Sequence, residues 1–329
     1  MAEDMNNLTN IDTTVPVEAP DSPIWKHLVK RGSVDVSGSN VKTERPLNIY
    51  YEIYGDGPER VVFINGMGAD RQMWEPNVAE FLKMGGYQCL VYDHRGTGYS
   101  DSGEGFLSYT TFTMATDLKN LLMALGWTKV NIIGVSMGGM IALEFACNHT
   151  ELIKTLTLAV TNAGLSLPPL RGILDTVTAN FNSDPRKRFE GICGSIYTEA
   201  YLKSPAPEGS GCETMLEYCA KNAVRKSRYS RPMTFMGFLG QVGTVFRHYV
   251  SPARLRTLGE RLSDKQILIV TGDVDHLVRI SNSQYLADKI GRDYVTLEIF
   301  EGAAHGLNSQ EHEKFTRSIH TMISALNSK

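Results

Sequence analysis

Along this chain short apolar runs alternate with segments of helical periodicity, and the alternation is interrupted once. Leu47–Tyr54 switches between apolar and polar residues as a strand does and ends at the turn Gly55-Asp56-Gly57-Pro58. Val61–Ile64 is a continuous apolar run that predicts a buried strand, and a helix carrying Trp74, Val78, Phe81 and Leu82 follows. The next strand, Gln88–Tyr92, precedes helical periodicity over Phe112–Leu125, which Gly126 ends. Val130–Ile133 is another apolar run, and soon after it Ile141, Ala142, Leu143, Phe145 and Ala146 recur at helical spacing. Thr155–Val160 closes this first series. A second runs from the strand Ile267–Val270 through a helix over Ser283–Ile290 and a strand over Val295–Phe300 to a helix over His312–Leu326. Strands alternating with helices predict an α/β fold, a mostly parallel central sheet flanked by helices on both faces.

Between the two series, residues 162–262 read differently. Pro168, Pro169, Pro185, Pro205, Pro207, Pro232 and Pro252 punctuate helical stretches, and the strand pattern disappears. The insertion leaves the sheet at a strand end, where a lid would cover a site, so 162–262 is expected to form a helical cap. The core is then 24–161 together with 263–329, with Ile24–Lys30 as a short helix or arm. Residues 1–23 are rich in Asn, Thr, Asp, Glu and Pro and have no Lys or Arg. They predict a disordered acidic tail.

Bulk properties narrow the function. With 329 residues, 42% hydrophobic, 21% charged and a net charge of −3, the chain suits a soluble globular protein and has no basic excess for nucleic acid. No apolar run reaches the roughly 18 residues of a membrane span. The five cysteines are odd in number and none stands in a C-x-x-C pair. That argues against a disulfide framework and for a reducing compartment, with Cys89 a core residue. Neither a signal peptide, an arginine-rich presequence nor a peroxisomal C-terminus is recognisable, so the cytoplasm is expected. No Cys/His cluster has zinc spacing, and no metal or organic cofactor is expected.

The chemistry concentrates at Gly134-Val135-Ser136-Met137-Gly138. This is G-x-S-x-G between a strand and a helix, the context of a nucleophile elbow. A strand turning straight into a helix brings two backbones together at the corner, which is why Gly134 and Gly138 carry no Cβ. A serine nucleophile needs a base, an orienting acid and an oxyanion hole. His305, in Gly302-Ala303-Ala304-His305-Gly306 after the last strand, is the candidate base. In Gly272-Asp273-Val274-Asp275 the candidate acid is Asp275, one helix-plus-strand unit before His305; Asp273 is its rival and could instead hold the turn. The oxyanion donors are expected to be the Met137 N–H, just after the nucleophile, and the Met67 N–H in the loop after Val61–Ile64.

These blocks, with Asp93-His94-Arg95-Gly96-Thr97-Gly98-Tyr99-Ser100, resemble the α/β-hydrolase superfamily of serine hydrolases over about 45–161 and 263–326. The resemblance implies the order Ser136 nucleophile, Asp275 acid, His305 base, and a helical cap where the insertion lies. Two positions depart from the family pattern: Asn65 stands where His is usual, and Arg279 where Pro is frequent. In the 93–100 block, Asp93 and Arg95 are expected to brace the loop. The implied activity is cleavage of a carboxylic ester, including a lipid-like one, by way of an acyl-enzyme. Thioesterase, lactonase, amidase and carbon–carbon hydrolase chemistry use the same residues, and a ligand-binding homologue without activity is the alternative from another class. Ser136 argues against the epoxide hydrolases and dehalogenases of this fold, which use aspartate. For the substrate pocket the candidates are Phe235, Leu239 and Phe246, which share one helical stripe with Val242. Gly237, Gly240 and Gly243 recur beside them, either for close packing or to leave room for an acyl chain.

Overall fold

The computed structural model describes residues 19–37, 46–166, 184–263 and 266–328. Its strands are β1 (Leu28–Asp35), β2 (Asn48–Tyr54), β3 (Glu59–Ile64), β4 (Tyr87–Tyr92), β5 (Val130–Val135), β6 (Ile153–Ala159), β7 (Ile267–Gly272) and β8 (Val295–Phe300). They form one sheet in the spatial order β1-β2-β4-β3-β5-β6-β7-β8. β2 runs antiparallel to β1 and β4; every other neighbouring pair is parallel. The helices of the first half are α1 (Glu75–Met84), α2 (Thr111–Leu125) and α3 (Met137–Asn148). The insertion holds α4 (Pro185–Ile196), α5 (Glu199–Lys203), α6 (Met215–Ser227) and α7 (Phe235–Arg247). Beyond it come α8 (Pro252–Arg261), α9 (Ile280–Ile290), α10 (Leu307–Gln310) and α11 (His312–Asn327).

The continuous apolar runs follow from burial on both faces. Within β3, Val62 and Ile64 join the core under α2, α3, α8 and α9, whereas Val61 and Phe63 face Trp74, Val78 and Phe81 beside α11. Successive side chains of a strand point to opposite faces, so a strand covered twice must be apolar at every position. Helix boundaries follow local chemistry as well. Thr110 and Thr113 form a reciprocal capping box at the start of α2, and Gly126, with φ 67°, ends it in the left-handed region.

The structure differs from the sequence pattern in three places. β1 is a strand where Ile24–Lys30 suggested a helix or arm; only Trp25–His27 makes a single 3-10 turn. β1 is an edge strand, defined by its antiparallel register with β2 from Leu28↔Tyr54 to Asp35↔Asn48 rather than by burial, and so it carries no alternation. Second, residues 19–23 of the expected tail lie against the body. Ala19 is buried and Ser22 Oγ donates to Glu75 Oε2 at 3.3 Å. Residues 1–18 of that tail lie outside the described residues.

Third, the insertion is shorter than its proline-rich composition suggested. Its neck is a bridge between Gly164 and Tyr249, beside which the Val250 N–H donates to the Ala163 carbonyl at 2.8 Å. α8 then returns to the sheet, and Leu255, Leu258 and Leu262 enter the same apolar cluster as Leu286 and Ile290. The insertion therefore ends near residue 250, not 262. Residues 167–183 of the expected cap lie outside the described residues.

Candidate active site

Ser136 joins β5 to α3 with φ 56° and ψ −120°, a backbone conformation that L side chains rarely adopt and that costs about 1–3 kcal/mol. Its surroundings hold it there. The Ser136 N–H donates to the Ala159 carbonyl of β6 at 2.9 Å, and its carbonyl accepts from the Met140 N–H at 3.1 Å and from Thr161 Oγ1 at 2.8 Å. A Cβ on Gly134 would overlap the Gly138 carbonyl, and one on Gly138 would overlap the carbonyls of Ile64 and Asn65. The two glycines thus let β5, α3 and the loop after β3 meet. The Met137 N–H lies in the first turn of α3, where backbone donors have no partner within the helix.

Asp275 and His305 come together. His305 Nδ1 lies 2.8 Å from Asp275 Oδ2, and both side chains are buried. Asp275 Oδ1 accepts the backbone N–H groups of Leu277 at 2.7 Å and Val278 at 2.9 Å. A carboxylate engaged as acceptor on both oxygens takes its third bond from Nδ1–H, which leaves a lone pair on His305 Nε2. The rival carboxylate is engaged differently, since Asp273 Oδ1 accepts the Gly302 N–H at 2.7 Å and ties the two loops together. Residues 302–306 are also tied to the insertion, through the Gly306 N–H and the Ile196 carbonyl at 2.6 Å. Ser136, Asp275 and His305 follow β5, β7 and β8 at the same, C-terminal edge of the sheet, where open parallel sheets carry their sites. Among the described residues Ser136 Oγ makes no hydrogen bond.

The loop after β3 borders Ser136. A Cβ on Gly66 would lie 3.6 Å from Ser136 Cβ. Asn65, where the family pattern has His, turns its side chain away: Nδ2 donates to the Tyr92 carbonyl at 2.8 Å, and the Asn65 carbonyl accepts from His94 Nε2 at 3.0 Å. This departure therefore anchors the loop to β4. Burial lowers the His94 pKa to about 4 from the ordinary 6.5, consistent with a neutral ring. Burial has the same effect on His248, also lowered to about 4.

Those two histidines give the protein an acid-labile component. An unfolded His takes up its proton below about 6.5, whereas the folded rings resist it until about 4. Their contribution is fully present above pH 6.5 and is lost as pH falls toward 4, at roughly 3 kcal/mol for each ring over the whole interval. Denaturant midpoints should accordingly fall between pH 7 and pH 5. His248→Gln, which removes one titration, should shrink that fall; an unchanged pH dependence would contradict the assignment.

Asp93 and Arg95 brace the site loop. Arg95 grips Asp117 with Nε at 2.7 Å and Nη2 at 2.6 Å, and Nη1 donates to the Ser108 carbonyl at 2.8 Å. Asp93 accepts the backbone N–H groups of Arg71 at 2.9 Å and Tyr99 at 3.0 Å. The Arg71 guanidinium, fully buried, bridges Glu52 at 2.7 Å and Asp93 at 3.1 Å and donates to the Tyr229 carbonyl of the insertion. No sequence motif marks Arg71 or Glu52; the pairing exists only in the fold.

On α7 the glycine face is filled. A Cβ on Gly237 would meet the Gly96 carbonyl, one on Gly240 the Tyr109 ring, and one on Gly243 the Phe106 ring. Close packing, not an acyl channel, is what these glycines provide. The predicted pocket stripe lies on the other side: Phe235 and Phe246 are each 73% exposed, and Leu239 is half-buried. The stripe is therefore not a buried wall, because the residues that α7 buries are Gly237, Gly240, Gln241, Gly243 and Thr244. Two surface depressions, of about 240 and 380 Å³, lie beside Thr150 and Arg261, beyond the far end of α3 from Ser136. Cys147, which lines the first, has its thiol pKa raised to about 11 by burial.

Among the described residues Glu80, His312 and Glu313 bring three ligand-type atoms within 4.8 Å of one another, with Glu80 already paired to Lys83 at 2.7 Å. No helix of the described residues is long and apolar enough to cross a membrane.

A family model described as the alpha/beta hydrolase fold matches residues 59–311. The chain belongs to that family. A Mycobacterium tuberculosis H37Rv protein, provisionally named non-heme bromoperoxidase BpoC, is 35% identical over 221 residues, 60% of this chain and 81% of that one. The 3-oxoadipate enol-lactonase 1 of Acinetobacter baylyi is 35% identical over 107 residues, 32% of this chain and 38% of that one. Among solved structures, a thermophilic esterase from Thermogutta terrifontis superposes with a TM-score of 0.69 at 20% identity, covering 91% of this chain and 99% of that one. The last likeness is one of fold.

Proposed function

We propose that the protein hydrolyses a carboxylic ester through an acyl-enzyme on Ser136. The observation that carries this reading is the 2.8 Å pair of His305 and Asp275 at the sheet edge that also bears Ser136 on its strained turn. In this reading His305 Nε2 takes the Ser136 hydroxyl proton as Oγ attacks the acyl carbon. The resulting oxyanion is held by the N–H groups of Met67 and Met137. Collapse breaks the acyl–oxygen bond, and the departing alkoxide takes the proton back from His305 as the alcohol. A water deprotonated by His305 then attacks the acyl carbon and frees the acid and Ser136. The Ser136–His305 hydrogen bond belongs to the substrate complex, since such bonds often form fully only there.

The two relatives are named as a bromoperoxidase and an enol-lactonase, so their names define no common substrate. Phe235, Leu239 and Phe246 lie on the face of α7 opposite the one that packs on the core, so no contact with the acyl group is assigned to them. The test is a panel of p-nitrophenyl esters of graded acyl length beside a lactone and a thioester, with fluorophosphonate labelling. Labelling with fastest turnover on an ester supports the proposal. A lactone or thioester turned over tenfold faster than every ester would overturn the substrate class, and absent labelling would overturn serine chemistry.

A further inference from the structure

We infer that Gln241, on the insertion helix α7, is a positioning residue for the oxyanion loop, joining the cap and the hole into one mechanical unit; this rests on the function proposed above. Gln241 is fully buried on a helix whose other side chains are mostly apolar, and both ends of its carboxamide are engaged. Oε1 accepts the Gly68 N–H at 2.9 Å, and Nε2 donates to Thr97 Oγ1 at 2.8 Å. A buried carboxamide is costly unless both ends find partners, and here the partners are the loop after β3 and the loop after β4.

The geometry explains why Gly68 matters. In a trans peptide the carbonyl and the N–H point in opposite directions. The Gly66 carbonyl faces the Ala69 N–H across the turn, so the Met67 N–H points out of it. The turn's own hydrogen bond is long, 3.4 Å, and Gly68 has φ +77°. A backbone flanked by Gly66 and Gly68 has little intrinsic stiffness. Fixing the Gly68 N–H fixes the peptide plane after Met67. The Met67 N–H lies in the plane before it, whose Gly66 carbonyl is held only by the 3.4 Å turn bond. The Gln241 tie therefore limits the turn geometries through which that donor can swing. Other ties between insertion and core lie further along the chain, as where Arg225 meets Glu75 at 2.6 Å and Lys226 Nζ meets the Gln72 carbonyl at 2.8 Å.

Gln241→Met keeps length and volume but loses the strong acceptor; Gln241→Asn keeps a carboxamide that is one methylene too short to span both partners. Thr97→Val removes only the far anchor. Deleting an oxyanion donor outright costs about 10²–10³ in kcat, and a misdirected donor should cost less. On p-nitrophenyl acetate, Gln241→Met and Gln241→Asn are expected to lose about tenfold in kcat with KM changed less than twofold. Affinity for an alkyl boronic acid, which forms a tetrahedral adduct on the serine, should fall in step. Thr97→Val should stay within about threefold of wild type. A purely structural role predicts a lowered melting temperature with unchanged kcat per fluorophosphonate-titrated site, and that result in whichever Gln241 variant folds would overturn the inference. A wild-type protein that neither labels nor cleaves the ester would overturn the functional reading, and this inference with it.

Discussion

Ser136→Ala should abolish ester turnover and fluorophosphonate labelling while leaving the fold intact. Removing one member of a Ser-His-Asp set costs about 10⁶-fold in kcat in the best-measured serine hydrolase, so residual activity should sit at the background of the assay. Stability should hardly change, because alanine carries the same Cβ into the same strained backbone and the hydroxyl has no hydrogen bond to lose among the described residues. Ser136→Gly provides an internal control. At φ 56° and ψ −120° the Cβ is the source of strain, and relief of about 1–3 kcal/mol exceeds the roughly 0.4–1 kcal/mol that glycine's extra freedom costs. The glycine variant should melt a few degrees above the alanine variant, and neither should label. Labelling of Ser136→Ala at the wild-type rate would place the nucleophile elsewhere. An alanine variant that no longer folds would instead show that the elbow is held by the hydroxyl and not by Ala159, Met140 and Thr161.

How far the sequence discloses this arrangement depends on what each residue answers to. β3, β5 and β7 are legible because burial on both faces demands apolar residues at every position, and the elbow is legible because two backbones meet at Gly134 and Gly138. Asp275 and His305 are readable as neighbours because one helix and one strand, α9 and β8, separate the loops that carry them. β1 escapes because an edge strand paired on one side satisfies its backbone without any pattern in its side chains. α8 escapes for a different reason. Pro252 reads as a breaker within a proline-rich stretch, yet it occupies the first turn of a helix, where a missing N–H costs nothing. Gln241 is a third kind of miss. A buried carboxamide on a mostly apolar helix needs partners, but the partners of Gln241, which are Gly68 and Thr97, are more than a hundred residues away and only the fold identifies them.

Asp275→Asn should lower kcat by about 10⁴, the size of the effect when the orienting carboxylate of trypsin becomes an amide, whereas Asp273→Asn should stay within about threefold of wild type. Hydrogen-bond polarity at each carboxylate makes the difference. The Leu277 and Val278 N–H groups both point at Asp275 Oδ1, so an asparagine there must place its carbonyl oxygen toward them. Its NH₂ then occupies the position of Oδ2, facing His305 Nδ1. Two donors cannot share that bond, so the ring must accept at Nδ1 and carry its proton on Nε2. That tautomer has no lone pair to take the serine proton. Asp273 meets no such conflict: the Gly302 N–H needs one acceptor, and an amide oxygen supplies it. Asp275→Ala separates the two roles open to a carboxylate here. If position 275 served only to fill space, asparagine, the closer match in shape, would retain more activity than alanine. If it sets the tautomer, asparagine should be no better than alanine, because it enforces the wrong form where alanine enforces none. The deciding measurement is kcat/KM on one p-nitrophenyl ester for all three variants beside their melting temperatures, and comparable losses in Asp273→Asn and Asp275→Asn would assign the orienting role to neither.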